Sequence, residues 1–408
     1  MPALQAAGFD CYFSFLCYNI AVAGGTANAA PPARNGERNI HMQKMIQFFK
    51  KDVVLTASLI LAVLSCFLTP PSLSYIGYID FDTLILLFCL MLVMAGLQEQ
   101  KFMEFVGSRL LSRTRTRRGL MTALVFLCFI SSMFMTNDVS LITFVPFGIM
   151  ILEMAGLTGS LCLTITLMTI AANLGSMFTP IGNPQNLYLY ALSGLSLPEF
   201  LLLMGPYTAA SAVLLLLFLF LGYKQARLQV ELEHPALKDR RACLLYFVLF
   251  FLCILTVAGW LPHVLLLLLT SAALLWKNRR LFVRVDYSLL LTFTFFFLFI
   301  GNISGIESFR TWILEILDGR DRILSVLISQ VISNVPAAML LSGYSSHVTE
   351  LIIGTNIGGL GTLIASMASL ISYKQVAAGY PAQKKKYLAV FTFCNLVFLA
   401  VLLLLGMP

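Results

Sequence analysis

Two short groups of polar residues interrupt apolar stretches of this chain, and their side chains could bind a small ion. The first tip, as we name it, is Thr136-Asn137-Asp138, and the second tip is Ser333-Asn334-Val335. Hydroxyl and amide groups can hold an ion without the large free-energy penalty of burying a charge. The pattern therefore predicts an ion-binding role for both tips.

Asp138 is the ionisable residue of the two tips, since Val335 stands at the corresponding position of the second tip. An apolar setting disfavours the charged form of a carboxylate, so binding a proton or a sodium ion there would offset the cost. We interpret Asp138 as a coupling residue. The alternative interpretation is an N-cap for the helix that follows the tip.

A second pair of segments combines Asn, Thr, Gly and Pro in one register. Residues 171–190 align without gaps on residues 354–373. The identical pairs are Asn173/Asn356, Gly175/Gly358, Thr179/Thr362, Ile181/Ile364, Leu187/Leu370 and Tyr190/Tyr373. Small residues in membrane helices also serve close helix packing, but that role does not require Asn and Thr at one register in both copies.

The glycines and prolines of these segments predict a break in each helix. A broken helix leaves N–H and C=O groups unpaired, which is costly in hydrocarbon unless they line a cavity. Exposed helix N-termini favour an anion, and exposed carbonyl ends suit a cation. The predicted substrate- and ion-binding residues lie at the tips and breaks: Thr136, Asn137, Asp138, Asn173, Gly175, Ser176, Thr179, Pro180, Gly182, Asn183, Ser333, Asn334, Asn356, Gly358, Gly361, Thr362 and Ser366.

The elements that carry these residues are predicted to be membrane helices. Of the 408 residues, 59% are hydrophobic and only 11% are charged. A soluble domain carries about 25% charged residues, so the lipid bilayer must be the solvent for this chain. The predicted hydrophobic spans are 52–69, 82–98, 158–177, 199–222, 242–258, 263–276, 286–303, 349–373 and 387–406, and two interrupted apolar stretches are 119–155 and 323–344.

The basic residues predict how the chain is oriented. They form short clusters between the spans, as cytoplasmic loops do. If residues 44–51 are cytoplasmic, 24 of the 27 Lys and Arg residues lie inside. That count requires residues 119–155 and 323–344 each to return to the side they entered, as re-entrant hairpins. The C-terminus at Pro408 is then outside, and the predicted location is a bacterial-type inner membrane.

The predicted fold is an all-α polytopic membrane protein with two inverted repeats, each with a re-entrant hairpin and a discontinuous transmembrane helix. The repeats are predicted at 45–222 and 242–408, joined by a cytoplasmic linker at 223–241. Inverted repeats with paired broken segments are a common plan of secondary transporters. Residues 1–44 are predicted to be a disordered or mis-started extension; a signal peptide cleaved after Ala29 and a short extra membrane helix are the alternatives.

Several other classes of function lack support in the sequence. The net charge of +8 arises from the loop clusters, and no nucleic-acid-binding motif accompanies it. The nine cysteines form neither a CxxC pair nor a zinc spacing, and hydrolase and nucleotide-binding motifs are lacking. We therefore predict a protein that is not an enzyme and has no cofactor, with H+ or Na+ as its coupling ion.

Four motifs resemble the ion-transporter superfamily, in particular its citrate-transporter-like and arsenite-permease-like members: TNDVSLITFVP, GSMFTPIGNPQN, SNVPAAMLL and GTNIGGLGTLIAS. The resemblance covers roughly residues 45–406. It implies a dimeric elevator-type carrier in which the two hairpin tips and two broken helices enclose one site per protomer. Asn-Asp at one tip and Asn-x-Pro at the other resemble the tips of the arsenite-permease-like members more than those of the citrate-transporter-like members.

The function expected from these features is secondary active transport of a small inorganic or organic anion, coupled to H+ or Na+. A sodium ion is expected near Asn137, Asp138 and Asn334. A Na+/H+ antiporter on the same fold is the alternative, and a passive anion channel is a weaker one, because a channel would need a continuous polar pore. The expected partners are the substrate anion, the bilayer and a second copy of the chain.

Overall fold

The structure, a computed structural model, describes residues 53–112, 114–227, 237–317 and 319–405. The described residues form α-helices joined by short connections, with one isolated β-bridge between Thr116 and Arg227. The helices of the first half are α1 Val53–Cys66, α2 Ser74–Tyr78, α3 Phe81–Glu99, α4 Phe102–Leu111, α5 Arg117–Ser131, α6 Asn137–Met154, α7 Leu161–Ser176, α8 Pro184–Ser193 and α9 Leu197–Gly222. Those of the second half are α10 Arg240–Val257, α11 His263–Asn278, α12 Tyr287–Ser304, α13 Glu307–Leu317, α14 Asp321–Ile332, α15 Asn334–Ser342, α16 Val348–Gly358, α17 Met367–Gly379 and α18 Lys384–Leu405.

Many of these helices have the length and composition of membrane spans. Within the described residues, seven are long and apolar enough to cross a bilayer, which takes about 20 residues. They are Phe81–Glu99, Asn137–Met154, Thr158–Ser176, Leu197–Gly222, Arg240–Val257, Tyr287–Ser304 and Pro381–Leu405. The prediction of an all-α polytopic membrane protein is confirmed.

Two helices are interrupted within the predicted breaks. The first stops at Ser176 and resumes at Pro184, and the second stops at Gly358 and resumes at Met367. The four segments have 16, 10, 11 and 13 residues. The first, together with the 3₁₀ turn before it, is the candidate span Thr158–Ser176, and the other three are shorter than a bilayer-spanning helix. Pro184 suits the restart, because proline at the first turn removes only an N–H that has no helical partner anyway.

The tips join consecutive helices. Residues 132–136 lie between α5 and α6, and Ser333 alone separates α14 from α15. Helices α14 and α15 have only 12 and 9 residues. At about 1.5 Å per residue neither could cross a bilayer. That each pair returns to the side it entered, and that the repeats are inverted, stay predictions.

The chain divides into two compact units. Unit 1 comprises residues up to Asp80 together with Asn278–Gly305, and unit 2 comprises Phe81–Lys277 and Ile306–Pro408. Each unit takes residues from both predicted repeats, so compactness does not follow the repeat boundaries at 45–222 and 242–408, which stay a prediction. The 1–44 extension and Pro408 lie outside the described residues, as does part of the 223–241 linker.

In unit 1, helix α1 packs against α12. The buried side chains of Leu55, Ala62 and Phe295 form the contact. Asn302 of α12 bonds both the end of α1 and helix α2. Its Nδ2 donates to Ser65 Oγ and to the Tyr75 hydroxyl oxygen, each at 2.9 Å. This amide therefore fixes the connection after α1 onto α12.

In unit 2, each tip-bearing helix pair packs against one interrupted helix through glycine. A Cβ at Gly175 would overlap the carbonyl oxygen of Phe129 in α5. A Cβ at Gly358 would lie 2.8 Å from Ser329 Oγ in α14. The glycines therefore allow α7 to pack closely on α5 and α16 to pack closely on α14. This packing holds each tip near a helix break.

The start of α10 shows how the connections are fixed outside the membrane spans. The Asp239 carboxylate accepts hydrogen bonds from the backbone N–H groups of Ala242 and Arg241, at 3.2 and 2.8 Å. These bonds, with Lys277 Nζ at 3.3 Å, lower the pKa of Asp239. Asp239 is therefore an N-cap that also tethers the end of α11.

Candidate functional site

Four helices of unit 2 begin at the tips and breaks. Helices α6 and α15 begin at Asn137 and Asn334, and α8 and α17 begin at Pro184 and Met367. The first N–H groups of a helix have no helical partner and carry partial positive charge. Hydrogen bonds between the tips and the breaks place these starts in one region, so it offers donors to an anion.

The first tip is joined to both breaks through one buried amide. Asn137 Nδ2 donates to Asn173 Oδ1 at 2.9 Å, and Ser366 Oγ donates to the same oxygen at 3.0 Å. Asn137, Asn173 and Ser366 are all buried. A residue of the first tip, one before the first break and one at the second break thus share a single acceptor.

The second tip meets the same stretch of chain. The backbone N–H of Asn334 donates to the carbonyl of Ala365 at 2.9 Å. Ser333 Oγ lies 3.4 Å from that carbonyl and 3.4 Å from Asn334 Oδ1. Because Ala365 precedes Ser366, one continuous network links the two tips.

The other side of the network runs through the first break. Asn183 Nδ2 donates to Ser176 Oγ at 2.6 Å, and Ser176 Oγ donates to the Asn173 carbonyl at 2.9 Å. Asn356 Nδ2 donates to Asn186 Oδ1. These bonds close the two breaks on one another.

Several contacts occur twice in the register of the sequence repeat. Asn173 Nδ2 donates to Ser369 Oγ at 3.4 Å, and its repeat partner Asn356 donates to Asn186, the repeat partner of Ser369. Each half-helix before a break therefore bonds the half-helix after the other break. The sequence repeat thus corresponds to equivalent contacts.

The two threonines that occupy the same position in both copies of the repeat make equivalent hydrogen bonds. Thr179 Oγ1 donates to the carbonyl of Met133, and Thr362 Oγ1 donates to the carbonyl of Gln330 at 3.1 Å. Met133 and Gln330 each stand three residues before the first residue of their tip. The two hydroxyls therefore hold each break against its tip.

Some buried polar atoms at the breaks have no hydrogen-bond partner within the described chain. They are Asn183 Oδ1, Asn356 Oδ1 and Gln185 Nε2, in residues that are only 3%, 2% and 1% exposed. A buried polar group without a partner costs about 1–3 kcal/mol, so natural proteins retain few of them. A bound ion or substrate with both donors and acceptors would satisfy these three atoms.

Asp138 lies half-buried in the first turn of α6. The Thr136 side chain accepts no capping hydrogen bond, and the backbone N–H of Asp138 donates to Asn137 Oδ1 at 2.9 Å. The structure places the N-cap at Thr136, so the alternative interpretation of Asp138 as the capping residue is wrong. An acidic side chain in the first turn still interacts favourably with the helix dipole.

The second tip holds Ser333 in an unusual backbone conformation, with φ 78° and ψ 155°. Only glycine adopts this region readily, and another residue there costs about 1–3 kcal/mol. The bond from Asn334 N–H to Ala365 helps to fix this conformation. No pattern in the sequence predicts this strain.

The remaining predicted residues shape the breaks. Pro180 and Gly182 form a short 3₁₀ turn, and a Cβ at Gly182 would overlap the Ser176 carbonyl. Gly361 has φ 106° and lies against the Gln330 side chain. Thr362 is exposed, with its hydroxyl bound to the Gln330 carbonyl.

Sequence reasoning missed four residues of this network. Gln330 Nε2 donates to the carbonyls of Gly358 and Leu360 at 3.0 and 2.9 Å, and its Oε1 accepts from the Thr362 N–H. Asn186 and Ser369 occupy matched positions of the aligned segments, so the repeat could have indicated both. Gln185 carries no such signal, because Ala368 is its partner.

A resident metal centre finds no support in the described part of the chain, where no cluster of three His, Cys, Asp or Glu side chains could hold a metal ion. The network is instead built from amides, hydroxyls and helix ends, and Asp138 lies next to it in the first turn of α6.

Comparison with known proteins gives the family of this chain. The family model described as "Citrate transporter" matches residues 42–348. An uncharacterized transporter of Methanocaldococcus jannaschii is 33% identical over 297 residues, which cover 72% of this chain and 81% of that protein. Inner membrane protein YbiR of Escherichia coli is 30% identical over 318 residues, or 74% of this chain and 81% of that protein. The chain is thus a multi-pass membrane transporter that belongs to the citrate transporter family.

Proposed function

We propose that this protein is a secondary active transporter of a small anion, coupled to H+ or Na+. The observation that carries the proposal is the hydrogen-bond network that joins two tips and two helix breaks, together with buried polar atoms at the breaks that have no partner among the described residues. Binding must be reversible in a carrier, and neutral donors and acceptors hold an ion without the cost of an unpaired buried charge.

The anion would be bound by the helix starts at Asn137, Pro184, Asn334 and Met367. Each presents N–H groups and a partial positive charge to the same region. Gln185 Nε2 adds a buried donor without a partner. These groups suit a carboxylate or an inorganic oxyanion equally, and the family name is compatible with a carboxylate.

The coupling ion would be bound at the first tip. Asp138 is the ionisable residue of the predicted site, and Asn137 and Asn334 would supply amide oxygens for a sodium ion. A carboxylate that loses water favours its neutral form, so a proton or Na+ would stabilise it. We propose that Asp138 thereby links ion movement to substrate movement.

A Na+/H+ antiporter is the second candidate. Asn183 Oδ1 and Asn356 Oδ1 are buried oxygen atoms that accept from no donor in the described part of the chain, and oxygen atoms are the usual ligands of hard cations. If these oxygens and the Asp138 carboxylate bind the transported ion, cations are the cargo and no anion is needed. A passive channel is less favoured, because the polar groups gather in one network instead of lining a pore.

The proposed transport unit is a homodimer in the inner membrane that works by an elevator motion, with residues 44–51 cytoplasmic and the C-terminus outside. The resemblance to the ion-transporter superfamily supports the dimer and the motion. The name of the relative YbiR fits the inner membrane, and the distribution of basic residues supports the orientation.

Reconstituted vesicles can test the proposal. Purified protein would first be screened by thermal shift against oxyanions, carboxylates and sodium, because a ligand that binds the folded state raises the melting temperature. Each hit would then be tested for gradient-driven uptake, with a pH dye inside the vesicles. Uptake of an anion supports the proposal. Movement of Na+ and H+ with no anion supports the antiporter, and uptake without any driving ion would contradict both.

A further inference from the structure

A groove in unit 2 lies between the first turns of α5 and the last turns of α9, and its volume is about 390 Å³. One end carries Arg118. The walls are formed by Thr122, Val213, Leu216, Leu217 and Phe220. Val213 and Phe220 are 66% and 62% exposed, so the groove opens on the surface of the unit.

Helix α9 is a candidate membrane span that ends at Gly222. The groove therefore faces the region where lipid chains lie, and Arg118 marks the end where the helix leaves the membrane. The Arg118 guanidinium carbon lies 4.3 Å from the centre of the Phe220 ring, and Arg118 Nε donates to the Tyr223 carbonyl at 2.8 Å. These two contacts hold the guanidinium at the mouth of the groove.

More cations surround Arg118. The backbone N–H of Arg117 donates to the Ala226 carbonyl at 2.9 Å, and Thr116 bridges to Arg227. This pairing brings the residues after α9 alongside the start of α5. The result is a basic cluster, which consists of Arg115, Arg117, Arg118, Lys224 and Arg227.

The basic cluster is not neutralised by the protein in the part of the chain that the structure describes. The ion pairs found there join His263 to Asp82, Lys277 to Asp239, Arg322 to Glu350 and His347 to Asp321. None of them includes a member of the cluster. The Arg117 guanidinium is turned into the protein, where it donates to Oγ of the buried Ser160. The other four positive charges at a membrane interface attract anionic lipid, at about 1 kcal/mol per basic residue.

We propose that this groove is a binding site for an anionic phospholipid. One acyl chain lies along Val213, Leu216 and Phe220, and the phosphodiester lies against Arg118 and the basic cluster. A free phosphate would leave the apolar walls uncovered. A zwitterionic lipid would fill the walls but bring its own positive charge to the cluster, so the site selects an anionic headgroup. The inference rests on the membrane fold and not on the transported substrate.

The test compares lipids on purified protein in detergent. Phosphatidylglycerol and phosphatidylcholine with the same acyl chains, and inorganic phosphate alone, would be added, and bound lipid would be counted by native mass spectrometry beside thermal shift. We expect phosphatidylglycerol to be retained and to raise the melting temperature, with little effect of the other two. Equal retention of both lipids would overturn the selectivity, and a full response to phosphate alone would reduce the site to a phosphate site.

Matched variants separate charge from structure. Arg118→Gln keeps a donor for the Tyr223 carbonyl but removes the charge, and it should weaken phosphatidylglycerol retention about fivefold. Arg118→Lys should retain most of it. Val213→Trp, at an exposed position, should reduce retention by filling the groove while the cluster stays intact. Lys384→Gln with Lys385→Gln removes two exposed charges at the start of α18 and should change nothing.

Three results would contradict the proposal. One is unchanged retention in Arg118→Gln, and another is an equal loss in the Lys384/Lys385 variant, which would show general attraction of anionic lipid. The third is a co-purifying protein that is displaced by Val213→Trp while lipid counts stay the same. If Arg118→Gln fails to fold, the double variant Arg115→Gln with Lys224→Gln removes two other charges of the basic cluster, both at exposed positions, and should weaken retention in the same way.

Discussion

At the scale of single residues, the site relies on amides whose partners are shared. Asn173 Oδ1 accepts from both Asn137 and Ser366. Removing one donor therefore leaves the acceptor satisfied by the other. Because Asn137 Oδ1 also accepts from the Asp138 N–H, the stability cost of losing the Asn137 amide is about two hydrogen bonds. Asn334 is held mainly through its backbone N–H, which any residue except proline retains. Both amides are thus available for ligand binding without being essential for folding.

The first prediction is that Asn137→Ala and Asn334→Ala each abolish transport but change the melting temperature by only a few degrees. The lost hydrogen bonds, which are two for Asn137, account for about 1 kcal/mol each. Asn395→Ala is the matched control, because Asn395 is a buried amide that bonds the Phe391 carbonyl in α18 at 2.8 Å, with no contact to the tips. Vesicle uptake and thermal unfolding would be measured on all three. Normal transport by either tip variant would make that tip a packing device.

The second prediction concerns Asp138 as the coupling residue. Asp138→Asn keeps the shape and hydrogen-bonding groups of the side chain but cannot exchange a charge, so gradient-driven accumulation should fail. Substrate counterflow, which needs no net ion movement, should survive. Uptake against a gradient would be compared at several pH values and sodium concentrations. A variant that accumulates substrate with wild-type pH and sodium dependence would rule out the coupling role.

The third prediction uses the backbone strain at Ser333, where φ is 78°. Ser333→Gly and Ser333→Ala both remove the hydroxyl, but only glycine adopts this conformation without strain. The glycine variant should therefore be the more stable of the two, by about 1 kcal/mol. Thermal unfolding of the pair decides the point. Equal stability would mean that the tip relaxes and that no strain is held there.

At the scale of elements, each tip is carried to a break by a helix pair that packs on a glycine. The Gly175 backbone lies against the Phe129 carbonyl of α5, and the Gly358 backbone lies against Ser329 of α14. The base of α14 is also clamped, since Arg322 Nη2 donates to Glu350 Oε1 at 2.9 Å and Arg322 Nε donates to Glu350 Oε2. Val125 of α5 and Leu167 of α7 stand at the corresponding positions of the first copy. The two tips therefore share a packing mode but differ in how their bases are held.

The fourth prediction is that Gly175→Ala destabilises the protein by at least about 2 kcal/mol, because the new methyl group meets a backbone carbonyl that cannot rotate away. Gly205→Ala is the control. It lies within α9, where a Cβ would meet nothing within 4 Å, so alanine should be neutral or stabilising. Melting temperatures of the two variants give the comparison. A Gly175→Ala variant as stable as Gly205→Ala would contradict the close packing of α5 on α7.

At the scale of the whole molecule, composition and charge decide the environment. With 59% hydrophobic residues and 11% charged residues, the chain exposes many leucine and phenylalanine side chains along its long helices. A bilayer covers such side chains, whereas water would not. We expect the Lys and Arg residues, which collect in the connections, to set the orientation in that bilayer.

The fifth prediction tests the inverted topology. Cysteines introduced at positions 230 and 314 of a cysteine-free background should be labelled from opposite sides of the membrane. Position 230 lies in the predicted cytoplasmic linker, whereas 314 lies between the predicted span 286–303 and the predicted hairpin 323–344, on the predicted outer side. Position 230 lies outside the described residues, and Leu314 is exposed in α13. Impermeant reagent on intact cells and on inverted vesicles gives the measurement. Labelling of both positions from one side would contradict the inverted repeats.

The sequence by itself determined the membrane environment, the helical class and the places where helices must break. Apolar length selects helices, because lipid offers no partners to an open backbone. Gly and Pro at residues 175–184 and 358–361 cannot continue a helix without cost. These are local properties, and the structure ends helices α7 and α16 where they predict.

Only the tertiary structure decided which groups meet. Asn137 reaches Asn173, and Asn356 reaches Asn186, over separations that no local pattern encodes. The role of Gln330 and the strain at Ser333 depend on backbone positions within the packed fold. The compact units also divide each predicted repeat. Packing joins α1 of the first repeat to α12 of the second, whereas the sequence repeat pairs the tip and break of one half with those of the other. The physical reason is that hydrogen bonds and close packing act between neighbours in space, whereas composition and periodicity act along the chain.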